Sequence, residues 1–136
     1  MIHLAIPPGA SAPGVAREAL GALDADLGAQ LREDSGLVVT EVVTNCVQHG
    51  GLAPSQQIEL KLSLLPQLLR IEVSDDGPGF IAEPVSSKPD QTPGAWGLLL
   101  VDQLTDRWGV DCSHSTRVWL EFDRAAGVSA SQQERR

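Results

Sequence analysis

Tyrosine is missing from the 136 residues, and the remaining aromatics are three Trp and two Phe. That is too few for the stacking platforms that single-stranded nucleic acids use. Cations are scarce as well: 10 Lys and Arg stand against 18 Asp and Glu, a formal charge of -8 with a pI near 4.7. This sign opposes nucleic-acid backbones and anionic membrane surfaces, so neither is an expected partner. There are two cysteines, Cys46 and Cys112, and no C-x-x-C spacing. A disulfide framework and a zinc or redox motif are therefore not indicated, and a reducing cytoplasm is the expected setting. No run of about 18 apolar residues occurs, and residues 1–13 lack the basic start and apolar stretch of a signal peptide. The chain is expected to be neither exported nor membrane-spanning.

What is present suits one globular domain. The hydrophobic share is 42% and charge is evenly spread, which predicts a single core over residues 1–124 and a flexible tail over 125–136. His3 to Ile6, stopped by Pro7, Pro8 and Gly9, reads as a first or edge strand. Val15, Ala19, Leu20, Leu23 and Leu27 fall at helical spacing up to Gly28, predicting an amphipathic helix of about four turns. A longer helix, with Leu31 just before it, carries Leu37, Val38, Val42, Val43 and Val47 and ends at Gly50 and Gly51. Gln57 to Leu64 and Leu68 to Asp75 alternate around Pro66 and Gln67, an antiparallel hairpin. Residues 76–96 read as a long loop, Leu98 to Leu104 as a helix, and 107–112 with 116–122 as a final hairpin.

Three short motifs stand in order along this plan. Glu41, Asn45 and His49 are four apart on the long helix, so a carboxylate, a carboxamide and an imidazole share one stripe. An acid and an amide oxygen there suit Mg2+, or the orientation of a water or hydroxyl. His49 alone reads as a capping residue at the helix C-terminus. Asp75-Asp76-Gly77-Pro78-Gly79 follows a strand, and its glycines let backbone turn sharply and approach a ligand while Asp75 can accept from an exocyclic amine. Gly94-Ala95-Trp96-Gly97-Leu98 leads into a helix whose first N–H groups can hold phosphate. Taken singly, each has a bland reading: a solvated helix face, a turn, a loop before a core helix. The third lacks both the six-residue dinucleotide fingerprint and a Gly-Lys-Ser/Thr.

Together, "LVVTEVVTNCVQHGG", "IEVSDDGPGF" and "GAWGLLLVDQLTDRWGV" resemble the N, G1 and G2 boxes of the GHKL ATPase superfamily. The likeness runs from about Ile6 to about Phe122 and is nearest to the anti-sigma-factor serine/threonine kinases of bacterial partner-switching systems. The resemblance implies the Bergerat fold, an α/β two-layer sandwich whose mixed, mostly antiparallel sheet is covered on one face by helices. It implies ATP and Mg2+, with Asn45 as the metal ligand, Glu41 as general base and Asp75 on the adenine amine. Gly77 and Gly79 would pass close to the nucleotide, and Gly94 would open the box whose Ala95, Trp96, Gly97 and Leu98 offer N–H groups to phosphate. The lid would be Pro78 to Gly94. Thr116 would reach adenine from the last hairpin in one of two registers, so it carries no assignment at this point.

For partners the resemblance implies a STAS-type anti-sigma-factor antagonist, a sigma factor, or both, and it admits a homodimer. Ala95 replaces the usual first glycine of the G2 box, and Gln48 stands where many relatives carry Arg or Lys. Lys88 is the one cation of the lid segment. These departures keep a second function open, a non-catalytic ATP/ADP-binding switch, because phosphoryl transfer is largely electrostatic and positional. A zinc hydrolase built on Glu41, His49, Asp75 and Asp76 lacks the His-rich spacing of catalytic zinc. No Lys or Arg lies between Arg32 and Lys61 or between Lys88 and Arg107. Phosphate charge would then be met by Mg2+ and backbone N–H groups, and affinity should fall when Mg2+ is chelated.

Overall fold

A computed structural model describes residues 1–23, 26–49, 56–75, 95–111 and 116–124. Five strands form one sheet: β1 (Ile2–Ile6), β2 (Ile58–Leu64), β3 (Leu68–Asp75), β4 (Arg107–Asp111) and β5 (Thr116–Asp123). Their order is β1-β2-β3-β5-β4, and all of these neighbours pair antiparallel. Three helices, α1 (Ala12–Gly21), α2 (Ala29–His49) and α3 (Ala95–Leu104), complete the two layers. The α/β sandwich expected from the motifs is therefore present, with its described pairings at the wholly antiparallel end of that expectation.

Alternation puts one face of the sheet against the helices. Ile58, Leu60 and Leu62 of β2, Leu69, Ile71 and Val73 of β3, and Val118, Leu120 and Phe122 of β5 are all buried. On α2 the buried positions are Ser35, Val38, Val39, Val42, Val43, Asn45 and Cys46, a stripe at the 3.6-residue period. Four valines are poor helix formers, but packing onto β3 and β5 outweighs propensity differences of a few tenths of a kcal/mol each. Helix α1 adds Ala12, Ala16 and Leu20 at four-residue steps.

The first helix is shorter than its apolar spacing predicts. It stops at Gly21, after which Ala22 N–H donates to Ala19 O at 3.1 Å and Leu23 N–H to Leu20 O at 3.0 Å. These are tight i to i−3 turns, and they still deliver Leu27 to the core at 8% exposure. Periodicity read the burial of Leu23 and Leu27 correctly and their backbone wrongly. Helix α2 conversely starts early, with Arg32 N–H on Gly28 O at 2.9 Å, so Leu31 lies inside it. Helix α3 likewise begins at Ala95, three residues ahead of the expected Leu98. The lid segment 78–94 and the tail 125–136 lie outside the described residues, and among described helices none is long and apolar enough to cross a membrane.

The opposite sheet face carries a charge ladder. Glu121 accepts from Arg70 Nη1 at 2.6 Å and Arg107 Nε at 2.8 Å, while Arg107 also reaches Asp123 and Arg70 also reaches Glu72 at 3.2 Å. The Arg107 guanidinium, helped by Arg70, holds the Glu121 carboxyl below the usual carboxylate range. Arg70 lies over the Trp119 ring at 5.0 Å, and that ring in turn lies on Gly109. A β-carbon at Gly109 would meet Trp119 at 2.7 Å. Gly109→Ala should therefore displace the indole and cost about 1–3 kcal/mol, read by urea denaturation and the near-ultraviolet dichroism of tryptophan.

Candidate functional site

The last two turns of α2 and the end of β3 bring the first two motifs together. Asp75, the last residue of β3, is 1% exposed, and Asn45 on α2 is 5% exposed. The Cys46 thiol, next along α2, hydrogen-bonds the Asp75 carboxylate. Burial, reinforced by the Asp75 charge, pushes the thiol far above its ordinary range, so at neutral pH it remains a protonated donor.

Register decides Thr116. It pairs directly with Asp75 across β3 and β5 and is 3% exposed, so both side chains face α2. Ser35, Asn45, Asp75 and Thr116 are the buried polar or charged residues among the described ones, and three of them gather at this end. Burying polar groups is costly unless something polar meets them, whether a partner within the fold or a polar ligand. Their chemistry also fits a purine nucleotide: a carboxylate for an exocyclic amine, a hydroxyl beside it, and a carboxamide oxygen for a hard cation.

Glu41 lies one turn before Asn45 and is half-buried, and Gln48 is exposed. His49 closes α2, its side chain outside what the structure describes. Gly77, Gly79 and Gly94 lie outside the described residues. Ala95, Trp96, Gly97 and Leu98 form the first turn of α3, which packs on α2. The first four N–H groups of a helix have no carbonyl partner within it, and here they belong to these four residues. Among the described residues no group of three or more His, Cys, Asp or Glu could hold a metal ion.

Cys46 and Thr116 are the site residues that motif reading leaves unassigned. Each had a signal: Thr116 is in phase with Val118, Leu120 and Phe122, and Cys46 with Val39 and Val42 on the buried stripe. A polar side chain in phase with an apolar face is either bonded within the fold or meets a ligand. The buried, protonated thiol should be inert. In a Cys112→Ser background, iodoacetamide should modify Cys46 only when denaturant opens the fold, as measured by intact-mass spectrometry at pH 7.5.

A two-layer sandwich with a buried polar cluster between its long helix and the end of its central strand is the architecture of a nucleotide-handling domain. The family model for the histidine kinase-like ATPase domain matches residues 10–122, and the chain belongs to that family. The histidine kinase domain of the Erythrobacter litoralis EL346 blue-light activated histidine kinase is 26% identical with TM-score 0.55, covering 86% of this chain and 61% of that one. A longer structure of the same blue-light activated kinase is 25% identical with TM-score 0.58, covering 86% and 42% respectively. The Acinetobacter baumannii histidine kinase AdeS shares the fold at 11% identity and TM-score 0.55, covering 92% of this chain and 68% of that one. The chain thus spans less than two thirds of the Erythrobacter proteins. No curated protein matches it.

Proposed function

We propose that the protein is an ATP-binding regulator of the anti-sigma-factor serine/threonine kinase type, acting in the cytoplasm on a STAS-type antagonist and sequestering a sigma factor. The observation that carries the reading is the buried Asn45, Asp75 and Thr116 cluster closed by Cys46. Asp75 accepts a hydrogen bond from the adenine amino group, and Thr116 lies beside it. Asn45 would hold Mg2+ through its carboxamide oxygen, since this cation is commonly bound by only one or two protein ligands beside substrate phosphates. Mg2+ would supply there the charge neutralisation that the segments 33–60 and 89–106, which hold no Lys or Arg, do not. Gly77, Gly79 and Gly94 admit the nucleotide closely, and the first N–H groups of α3 hold its phosphates.

Glu41 then removes the proton of a partner serine or threonine hydroxyl. The oxygen attacks the γ-phosphorus, the bond to the bridging β–γ oxygen breaks, and ADP leaves with that electron pair. Purified protein given γ-labelled ATP, Mg2+ and the antagonist should transfer label. Glu41→Gln should lower that transfer at least about a hundredfold with ATP affinity nearly unchanged. EDTA should weaken ATP binding at least about tenfold, read by calorimetry.

The absence of Lys and Arg between Arg32 and Lys61 and between Lys88 and Arg107 supports a second reading, a switch that binds ATP or ADP without transferring phosphate. Intact ATP binding with no label transfer from the wild type selects it.

A further inference from the structure

Outside the cluster at Asp75, a groove of about 490 Å³ opens between α1 and the N-terminal half of α2. Arg17, Arg32, Gly36, Leu37 and Thr40 line it together with one acid, Glu33, and buried Leu20 forms its floor. Three of its features are unexplained by contacts among the described residues.

The first is charge. Six arginines are described, and four are engaged: Arg70, Arg107 and Arg117 with carboxylates, Arg124 with the carbonyls of Leu65 and Asp26. Among the described residues Arg17 and Arg32 have no carboxylate within ion-pair distance, although 18 Asp and Glu are available in the chain. Arg17 Nη1 donates instead to Thr40 Oγ1 at 3.1 Å, and that hydroxyl donates to Gly36 O at 2.7 Å. The guanidinium is held beside the groove.

The second is Gly36. Glycine inside a helix is destabilising relative to alanine, yet a β-carbon here would meet nothing within 4 Å. No packing among the described residues calls for it. The third is Leu37, a leucine left 48% exposed at the same groove.

We propose that this groove docks an acidic amphipathic helix of a partner protein. Its leucine-like side chains cover Leu37, its backbone comes close at Gly36, and its carboxylates pair with Arg17 and Arg32. The occupant is argued from charge complementarity: among the described residues this groove sets two arginines that no carboxylate pairs against one acid, Glu33, which leaves it net positive in an acidic chain. The proposal names the chemistry of a partner and stands apart from the nucleotide reading, since it uses α2 residues 32–40 and not 41–49.

The test uses the full chain, 15N-labelled, and a synthetic amphipathic helix with leucines on one stripe flanked by glutamates. Its twin has every glutamate replaced by lysine. The acidic peptide should shift amide signals of Arg17, Leu20, Gly36 and Leu37, and Arg17→Glu or Arg32→Glu should weaken it at least about fivefold. The double reversal should bind the lysine twin instead. Gly36→Leu should block the acidic peptide while leaving the melting temperature unchanged or raised, which separates docking from folding. The proposal is overturned if the acidic peptide does not bind, if both twins bind alike, or if the shifts fall elsewhere. It is equally overturned if sedimentation shows a homodimer that Arg17→Glu dissociates, because the occupant is then a second copy. Loss of ATP binding without loss of peptide binding would sink the nucleotide reading and leave this one standing.

Discussion

Asp75→Asn should lower ATP affinity about a hundredfold, with the melting temperature moving by only a few degrees. The carboxylate is 1% exposed and accepts from Cys46, and an asparagine oxygen can still accept that thiol. What the substitution removes is a charged acceptor for the adenine amine, and what it can add is an N–H2 facing another N–H2. A charge-assisted hydrogen bond carries about 1.5–3 kcal/mol, and about 1.4 kcal/mol is tenfold in affinity, so the upper half of that range gives the hundredfold loss. Calorimetry with ATP and with inosine triphosphate separates this account from a general loss of structure. Inosine carries an oxygen where adenine carries the amine, so Asp75→Asn should narrow or reverse the preference for ATP. An unchanged ratio of the two affinities would remove Asp75 from the adenine contact.

Ile71→Ala should be the more damaging change to the fold. Ile71 is 0% exposed on β3, with Leu62 opposite on one side and Leu120 on the other. Deleting three methyl or methylene groups from such a position costs about 2–5 kcal/mol, transfer and cavity terms together. The melting temperature should drop by about 10 °C or more for a domain of this size. Lys61→Ala, on the neighbouring strand but pointing out from the exposed face, should stay within about 0.5 kcal/mol and serves as the control in urea denaturation. Equal losses from the two would mean that the faces of the sheet are exchanged.

The two hairpins were readable because a period of two leaves few choices once the polar residues between strands are placed. Leu60, Leu62, Ile71, Val73, Val118 and Leu120 could only face one way together. Spacing also found the face shared by Glu41 and Asn45, because a helix has no register to choose. Thr116 was a different matter: its position opposite Asp75 is a fact about two strands separated by α3 and β4, which no local pattern encodes. Cys46 was hidden for a related reason. A small thiol on a buried stripe looks like any core residue until the strand beneath it is known to end in a carboxylate. The end of α1 was missed because tight turns and an α-helix bury Leu23 and Leu27 equally well.

The strand order has a consequence in time. Because β5 slots between β3 and β4, the pair formed by Asp75 and Thr116 joins residues 41 apart in sequence, and the centre of the sheet is completed by its last strand. During synthesis a ribosome that has released only β1 to β4 has made every residue of the three motifs, yet β3 still exposes one bare edge. At about 5–20 residues per second that interval lasts on the order of a second. A fragment ending before Thr116 therefore carries all three signatures and leaves the strand that ends at Asp75 with β2 on one side and no neighbour on the other. Arg124, donating to Leu65 O at 2.8 Å and Asp26 O at 2.9 Å, fastens that final strand to both the first hairpin's turn and the segment before α2.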